Sequence, residues 1–174
     1  MVDHPTSRTD ARRIPDPGFA GDGGAADPRL AGALADFAVS PERGLEVLLA
    51  LQHARLLVPV VAVLGDVEHD DAGLAHDKTS DMATALLTGH DGRRALLAFT
   101  CLETLVAWRP DARPVPVPAA LAARSALQEG ASALVVDIAG PTSYVVEGRP
   151  LEGLARGWSL AVTEAGPVWA EPVE

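Results

Sequence analysis

The chain has one cysteine, one lysine and no asparagine in 174 residues, and only 4% of it is aromatic. The single cysteine, Cys101, excludes an intramolecular disulfide and a cysteine-rich zinc site. That fits a reducing compartment. With so few aromatic rings, the core has to be built from Leu, Val and Ala. No run of about 18 apolar residues is present, so the sequence offers no membrane-spanning helix. The first thirty residues are broken by Pro and Gly and carry no charged-then-apolar leader pattern. The expected location is therefore cytoplasmic. Basic clusters are missing too: Arg12-Arg13 and Arg93-Arg94 are isolated pairs in a chain of net charge −10. Such a surface repels phosphate backbones, which excludes direct nucleic-acid binding as an expected function. The thirteen Arg beside the single Lys78 look like the imprint of a high-G+C coding bias.

A chain of this length forms one domain and buries roughly 68–70% of its unfolded surface without a metal or disulfide staple. Residues 1–27 are rich in Pro, Gly and Asp and poor in aliphatics, so composition predicts a disordered tail. Asp27-Pro28 opens a helix to about Ala38, with Leu30, Leu34 and Phe37 on one face. Ser40-Pro41-Glu42 opens a second helix by the same logic, with Leu45, Leu48 and Leu49 as its apolar stripe. Val58–Leu64 is an unbroken apolar run, which predicts a strand covered on both faces, and Pro59 places its start at a sheet margin. Met82–Thr88 and Arg94–Thr100 read as a hairpin about Asp91-Gly92. Thr100-Cys101-Leu102-Glu103 reads as a capping box that starts a helix reaching Trp108. A Pro-rich connector follows over 111–117, then a helix ending at Gly130, a buried strand over 133–138 and another over 144–147. A short helix over 150–156 and a last strand over 159–163 precede an acidic-aromatic tail from 166 to 174. The predicted class is a single α+β domain over 28–165, with helices packed on a mixed, mostly antiparallel sheet.

Four features carry candidate chemistry. Lys78, Thr79, Ser80 and Asp81 follow a loop of acidic residues and form the candidate binding surface, with Lys78 as cation and Ser80 and Asp81 as hydrogen-bonding groups. The same residues would serve equally well to neutralise the loop and satisfy turn amides. Asp66, Glu68, His69, Asp70, Asp71, His76 and Asp77 offer carboxylate and imidazole, but their spacing matches neither a calcium loop nor a His-Glu-x-x-His zinc motif, so no metal is expected. Cys101, read as the first residue of a helix, is the one nucleophile candidate. Nothing like Gly-x-Ser-x-Gly accompanies it, and no catalytic residue is assigned. Asp137 ends a buried strand and is expected to cap the following turn.

Val58-Pro59-Val60, Lys78-Thr79-Ser80-Asp81-Met82-Ala83, Thr88-Gly89-His90-Asp91-Gly92-Arg93-Arg94-Ala95, Phe99-Thr100-Cys101-Leu102-Glu103 and Ala133-Leu134-Val135-Val136-Asp137 occur in this order over more than half the chain. In these stretches the chain resembles the SseB family N-terminal domain in its short, high-G+C actinobacterial form. The resemblance implies no settled enzymatic activity, no required cofactor and no catalytic residue to carry over. The family's name comes from a serine-sensitivity phenotype, which suggests a regulator that responds to amino acids. The expected function is a non-enzymatic binding or regulatory domain acting on an unidentified protein partner. The alternative is a binder of small, amino-acid-like molecules, or an enzyme, with a cleft near Lys78–Asp81 or Cys101. No cofactor is expected, and the sequence leaves the oligomeric state open.

Overall fold

A computed structural model describes residues 19, 21–64 and 80–172. Helix α1 (Pro28–Val39) starts as its cap residue predicts: the Asp27 carboxylate accepts from the Arg29 and Leu30 amides, and Pro28 takes the first turn. The second predicted helix is divided. A 3₁₀ turn over Pro41–Arg43 precedes α2 (Gly44–Leu51), and the Ser40 side chain caps neither. Strands β1 (Arg55–Leu64), β2 (Ser80–Thr84), β3 (Leu86–Thr88) and β4 (Arg94–Ala98) follow, then α3 (Leu102–Trp108), β5 (Arg113–Pro118) and α4 (Ala119–Gln128). β6 (Ala133–Val136), β7 (Tyr144–Glu147), α5 (Gly148–Ala155), β8 (Ser159–Thr163) and β9 (Gly166–Ala170) complete the order.

Two ladders, β2-β1-β5 and β3-β4-β6-β7, meet at a seam. β2 lies on β1, and one residue later β3 lies on β4, so the chain changes partner at Ala85. The Ala85 amide donates to the Pro59 carbonyl at 3.2 Å, and its own carbonyl accepts from the Leu97 amide at 3.1 Å. Below the seam, Leu57 and Phe99 exchange both backbone hydrogen bonds, at 2.8 and 2.9 Å. β1 is therefore central, not marginal. Pro59 is accommodated because its missing donor faces this seam, where β1 exchanges one neighbour for the other.

The stretch read as a Pro-rich connector is the edge strand β5. It pairs antiparallel with β1 in the register Val58↔Val115. Pro114, Pro116 and Pro118 alternate with the residues whose amides face β1, so the outer edge of β5 has no donors there for a further strand. β5 also interrupts the connection between β4 and β6, which form the one parallel pair among the described strands (Ala98↔Val136). All other described pairings are antiparallel, giving a single α+β domain with a mixed, mostly antiparallel sheet.

Strand alternation builds two cores. Leu56, Val58, Leu96, Ala98, Leu134 and Val136 face the larger one, shared with Leu30 and Leu34 of α1, Val47 and Leu51 of α2, and Leu151 and Leu154 of α5. α4 contributes only alanines (119, 122, 123 and 126), all fully buried, which let its backbone lie close to its neighbours. On the opposite face, Leu57, Leu97 and Phe99 pack under Leu105 of α3, with Trp108 alongside. The continuous apolar runs of β1, β4 and β6 are thus explained by cover on both sides.

Residues beyond the predicted domain also pack onto it. The C-terminal tail expected from residue 166 begins as β9, paired with β8, and Trp169 lies against Gly153 of α5. A Cβ at Gly153 would stand 2.7 Å from that ring, so glycine is what admits it. Gln52 acts as one rung of a ladder: its Nε2 donates to the Leu160 carbonyl at 3.2 Å and its Oε1 accepts from the Leu160 amide at 2.8 Å. Residues 21–27, assigned to a disordered tail by composition, are also held in place. Arg55 pairs with the Asp22 carboxylate at 2.6 Å, and its guanidinium donates to the carbonyls of Ala25 and Thr100. The Leu102 amide donates to the Gly24 carbonyl at 2.8 Å. Gly24 has φ +74°, and a Cβ there would collide with the Leu102 side chain, so only glycine fits this strap.

Tyr144 joins β7 to α2. Its hydroxyl donates to the Gly44 carbonyl at 2.8 Å, and its ring meets Phe37 edge-on at 5.2 Å. Burial disfavours the phenolate and raises its pKa above the ordinary value near 10. The neutral form is the one the fold favours, so this contribution is complete below pH 10 and is lost as pH rises through the raised value. It is the only tyrosine in the chain, so its titration is unambiguous. Tyrosinate absorbance of the native protein is expected to rise at higher pH than that of the protein in denaturant. Coincident curves would show that the ring is not buried as described.

Candidate functional site

Of the four residues read as a binding surface, Lys78 and Thr79 lie outside the described residues. Ser80 and Asp81 open β2, where their backbones pair with Leu64 and Val63 of β1. The acidic loop from Asp66 to Asp77 also lies outside the described residues. Among the described residues, no group of three or more His, Cys, Asp or Glu is placed to hold a metal ion.

The structure instead brings together residues that the sequence reading treated separately. β4 and β6 run parallel and end side by side, which puts Thr100 next to Asp137. Asp137 is 3% exposed and has φ +53°, a left-handed conformation that Asp tolerates better than most residues. Its backbone is fixed on both sides: its amide donates to the Ala98 carbonyl at 3.0 Å, and its carbonyl accepts from the Gly140 amide at 2.9 Å. Its carboxylate does not cap that turn. It reaches back to the start of α3, where Oδ1 accepts from the Thr100 amide at 2.9 Å and the Thr104 hydroxyl at 2.6 Å. Oδ2 accepts from the Thr100 hydroxyl at 2.6 Å.

This arrangement overturns the expected capping box. The N-cap of α3 is Cys101, extended at φ −146°, and no side chain caps the helix. Thr100 stands one residue before the cap, and its hydroxyl donates to the Asp137 carboxylate, so it points across to β6 instead of forward along α3. Thr104 is likewise within 3.1 Å of the Cys101 carbonyl, but its single proton goes to the closer carboxylate. That leaves the Thr104 oxygen free to accept from the Cys101 thiol at 3.6 Å. Cys101 is half-buried, and the side chains beside it are hydroxyls and a carboxylate, with no imidazole among the described residues lining the cleft. No described buried side-chain nitrogen or oxygen lacks a hydrogen-bond partner.

Over these groups lies a cleft of about 570 Å³, within the size range of small-ligand sites. α1 forms one wall with Ala31, Ala35 and Ala38, whose spacing places them on one side of the helix. Glu103 and Ala107 of α3 form the other wall, and the turn over 139–142 closes the end. The strap contributes Ala26 at its mouth. The walls are apolar and shallow-sided because alanine leaves room that a larger residue would fill. The floor lies at the carboxyl ends of a parallel strand pair, the place where α/β sheets open a crevice for ligands. Sequence reading named Thr100, Cys101, Glu103 and Asp137 individually. It missed that they converge, and it missed the alanines, whose signal was a small-residue stripe beside the apolar face of α1.

No curated protein and no solved structure matches this chain. The family model described as SseB protein N-terminal domain matches residues 30–152. The match takes in Arg55, Gln52, Thr100, Thr104 and Asp137, and it leaves the strap over 21–27 and the β8–β9 hairpin outside. The chain therefore belongs to the SseB family, and the cleft floored by Asp137 lies inside its N-terminal domain.

Proposed function

We propose that this SseB domain is a non-enzymatic binding and regulatory domain of the cytoplasm, acting through contacts with a protein partner that seats part of itself in the cleft between α1 and α3. The supporting observation is the state of the cleft floor. Each polar side chain there is engaged by a neighbour in the fold: both threonine hydroxyls by Asp137, and the Cys101 thiol by Thr104. A nucleophile needs a base aligned to take its proton, and the group beside the Cys101 thiol is the Thr104 hydroxyl, which is no base. The arrangement holds a shape and leaves the walls to make contacts.

The volume of the cleft, about 570 Å³, favours a second reading, in which a small molecule occupies it. Both readings are tested by filling the cleft. Ala35→Trp, on the exposed side of α1, is expected to leave folding intact and to abolish retention of any partner that binds here. Retention of the same proteins by wild type and variant would remove the cleft from the account. Measurable turnover with a rapidly alkylated Cys101 would replace binding with catalysis. The expected result is a thiol that reacts no faster in the folded chain than in the unfolded one.

A further inference from the structure

We infer that the cleft accepts the ammonium group of a lysine side chain presented by the partner, an inference that rests on the binding reading above. Both charged groups among its described lining residues, Asp137 and Glu103, are carboxylates, and none of those described residues is Lys, Arg or His. The three donors to Asp137 are neutral: one amide and two hydroxyls. Among the described residues no cation lies within ion-pair distance of it, and Arg55, which contacts the Thr100 carbonyl, is bound to Asp22. The floor thus carries a buried carboxylate that is hydrogen-bonded and has no cation beside it among the described residues. A carboxylate held beside low-dielectric protein attracts cations and repels phosphates and carboxylates more strongly than it would in bulk water.

The vacancy on Asp137 selects the kind of cation. A carboxylate has about four acceptor directions. Among the described residues two donors meet Oδ1 and one meets Oδ2, which leaves a single direction on Oδ2. A guanidinium binds a carboxylate best through two parallel bonds, which this group cannot offer. A compact ammonium needs one acceptor here and has two further donors for Glu103 at the rim or for water. The alanines of α1 and α3 line the path with methyl groups, a surface suited to the four methylenes of a lysine stem. The whole chain's charge of −10 favours approach of a basic partner.

The test is a titration of the isotope-labelled full chain with the peptide acetyl-Ala-Lys-Ala-amide, read from the amide signals of Ala107 and Gly140. Parallel titrations use the same peptide with norleucine or arginine in place of lysine, and n-butylamine as a free amine. The lysine peptide is expected to bind at least roughly ten-fold more tightly than either peptide analogue, as one charge-assisted hydrogen bond provides. Glu103→Gln is expected to weaken it several-fold without changing the fold, and Ala35→Phe to abolish it. Equal binding of the norleucine or arginine peptide overturns the inference. Binding of n-butylamine as tight as that of the peptide also overturns it, in favour of a free amine. If no peptide shifts these signals while a partner sensitive to Ala35→Trp is still retained, the lysine assignment falls and the binding function stands. If filling the cleft changes nothing in either experiment, both fall.

Discussion

Asp137→Ala is expected to lower the unfolding free energy by about 3–5 kcal/mol, as read from denaturant midpoints at unchanged m-value. The Thr100 amide, the Thr100 hydroxyl and the Thr104 hydroxyl would lose their acceptor at once, in a place with little water to replace it. An orphaned buried donor costs about 1–3 kcal/mol, and the two Thr100 donors bear that cost while Thr104 can turn to the Cys101 carbonyl at 3.1 Å. Two companion variants separate the causes. Asp137→Gly also removes the carboxylate but adopts φ +53° freely, so its loss is expected to be smaller than that of alanine by about 1 kcal/mol. Asp137→Asn keeps the length and one acceptor, and is expected to fall between alanine and wild type. A loss below about 1 kcal/mol for alanine would mean that the three donors find other partners, and that Asp137 does not tie β6 to α3.

Phe99→Ala is the second large effect, at about 3–5 kcal/mol. Phe99 is fully buried in the smaller core, and its ring lies 5.5 Å from that of Trp108, centroid to centroid. Its backbone closes the seam between the two ladders through Leu57. Truncation would leave a cavity beneath α3, with only Leu57, Leu97, Leu105 and two alanines as the other fully enclosed members of that cluster to close around it. Deletion of an equally buried residue from the larger core has more neighbours to relax. Trp108 fluorescence and thermal unfolding would both report the change. A variant as stable as wild type would show that the seam, and not the ring, holds this face together. The position bears on function as well, because Phe99 directly precedes Thr100 and sets where β4 delivers it to the cleft floor.

The strap and the hairpin place these effects in a wider frame. Both lie outside the family match, and each is fastened by a residue inside it: Arg55 for the strap and Gln52 for the hairpin. The Arg55–Asp22 pair is largely shielded, with side chains only 13% and 15% exposed. It fixes Ala26 at the mouth of the cleft by a route that passes through the Thr100 carbonyl. The strap is thus fastened at the same short stretch, 99–104, that supplies part of the cleft lining.

The amino-acid order by itself determined what depends on near neighbours. Asp27-Pro28 specified the start of α1, because a cap and a preset φ act within one turn. The apolar runs marked β1, β4 and β6 as covered on both faces, because burial on two sides removes the need to alternate. The order and spacing of short stretches also identified the SseB family. The tertiary structure alone decided what depends on pairing. The stretch 111–117 looked like a connector because its prolines are poor strand formers, and Arg113–Pro118 became β5 only because the remaining amides match the free side of β1. Thr100 looked like a cap, but it is turned away from α3 to donate its hydroxyl to a carboxylate 37 residues away. Gln52 and Leu160, separated by 108 positions, carry no local signal for each other. The physical reason is common to all three. A hydrogen-bonding group in a sequence states what it can donate or accept, but the partner that wins is set by which strands lie side by side, and only closure of the whole chain settles that.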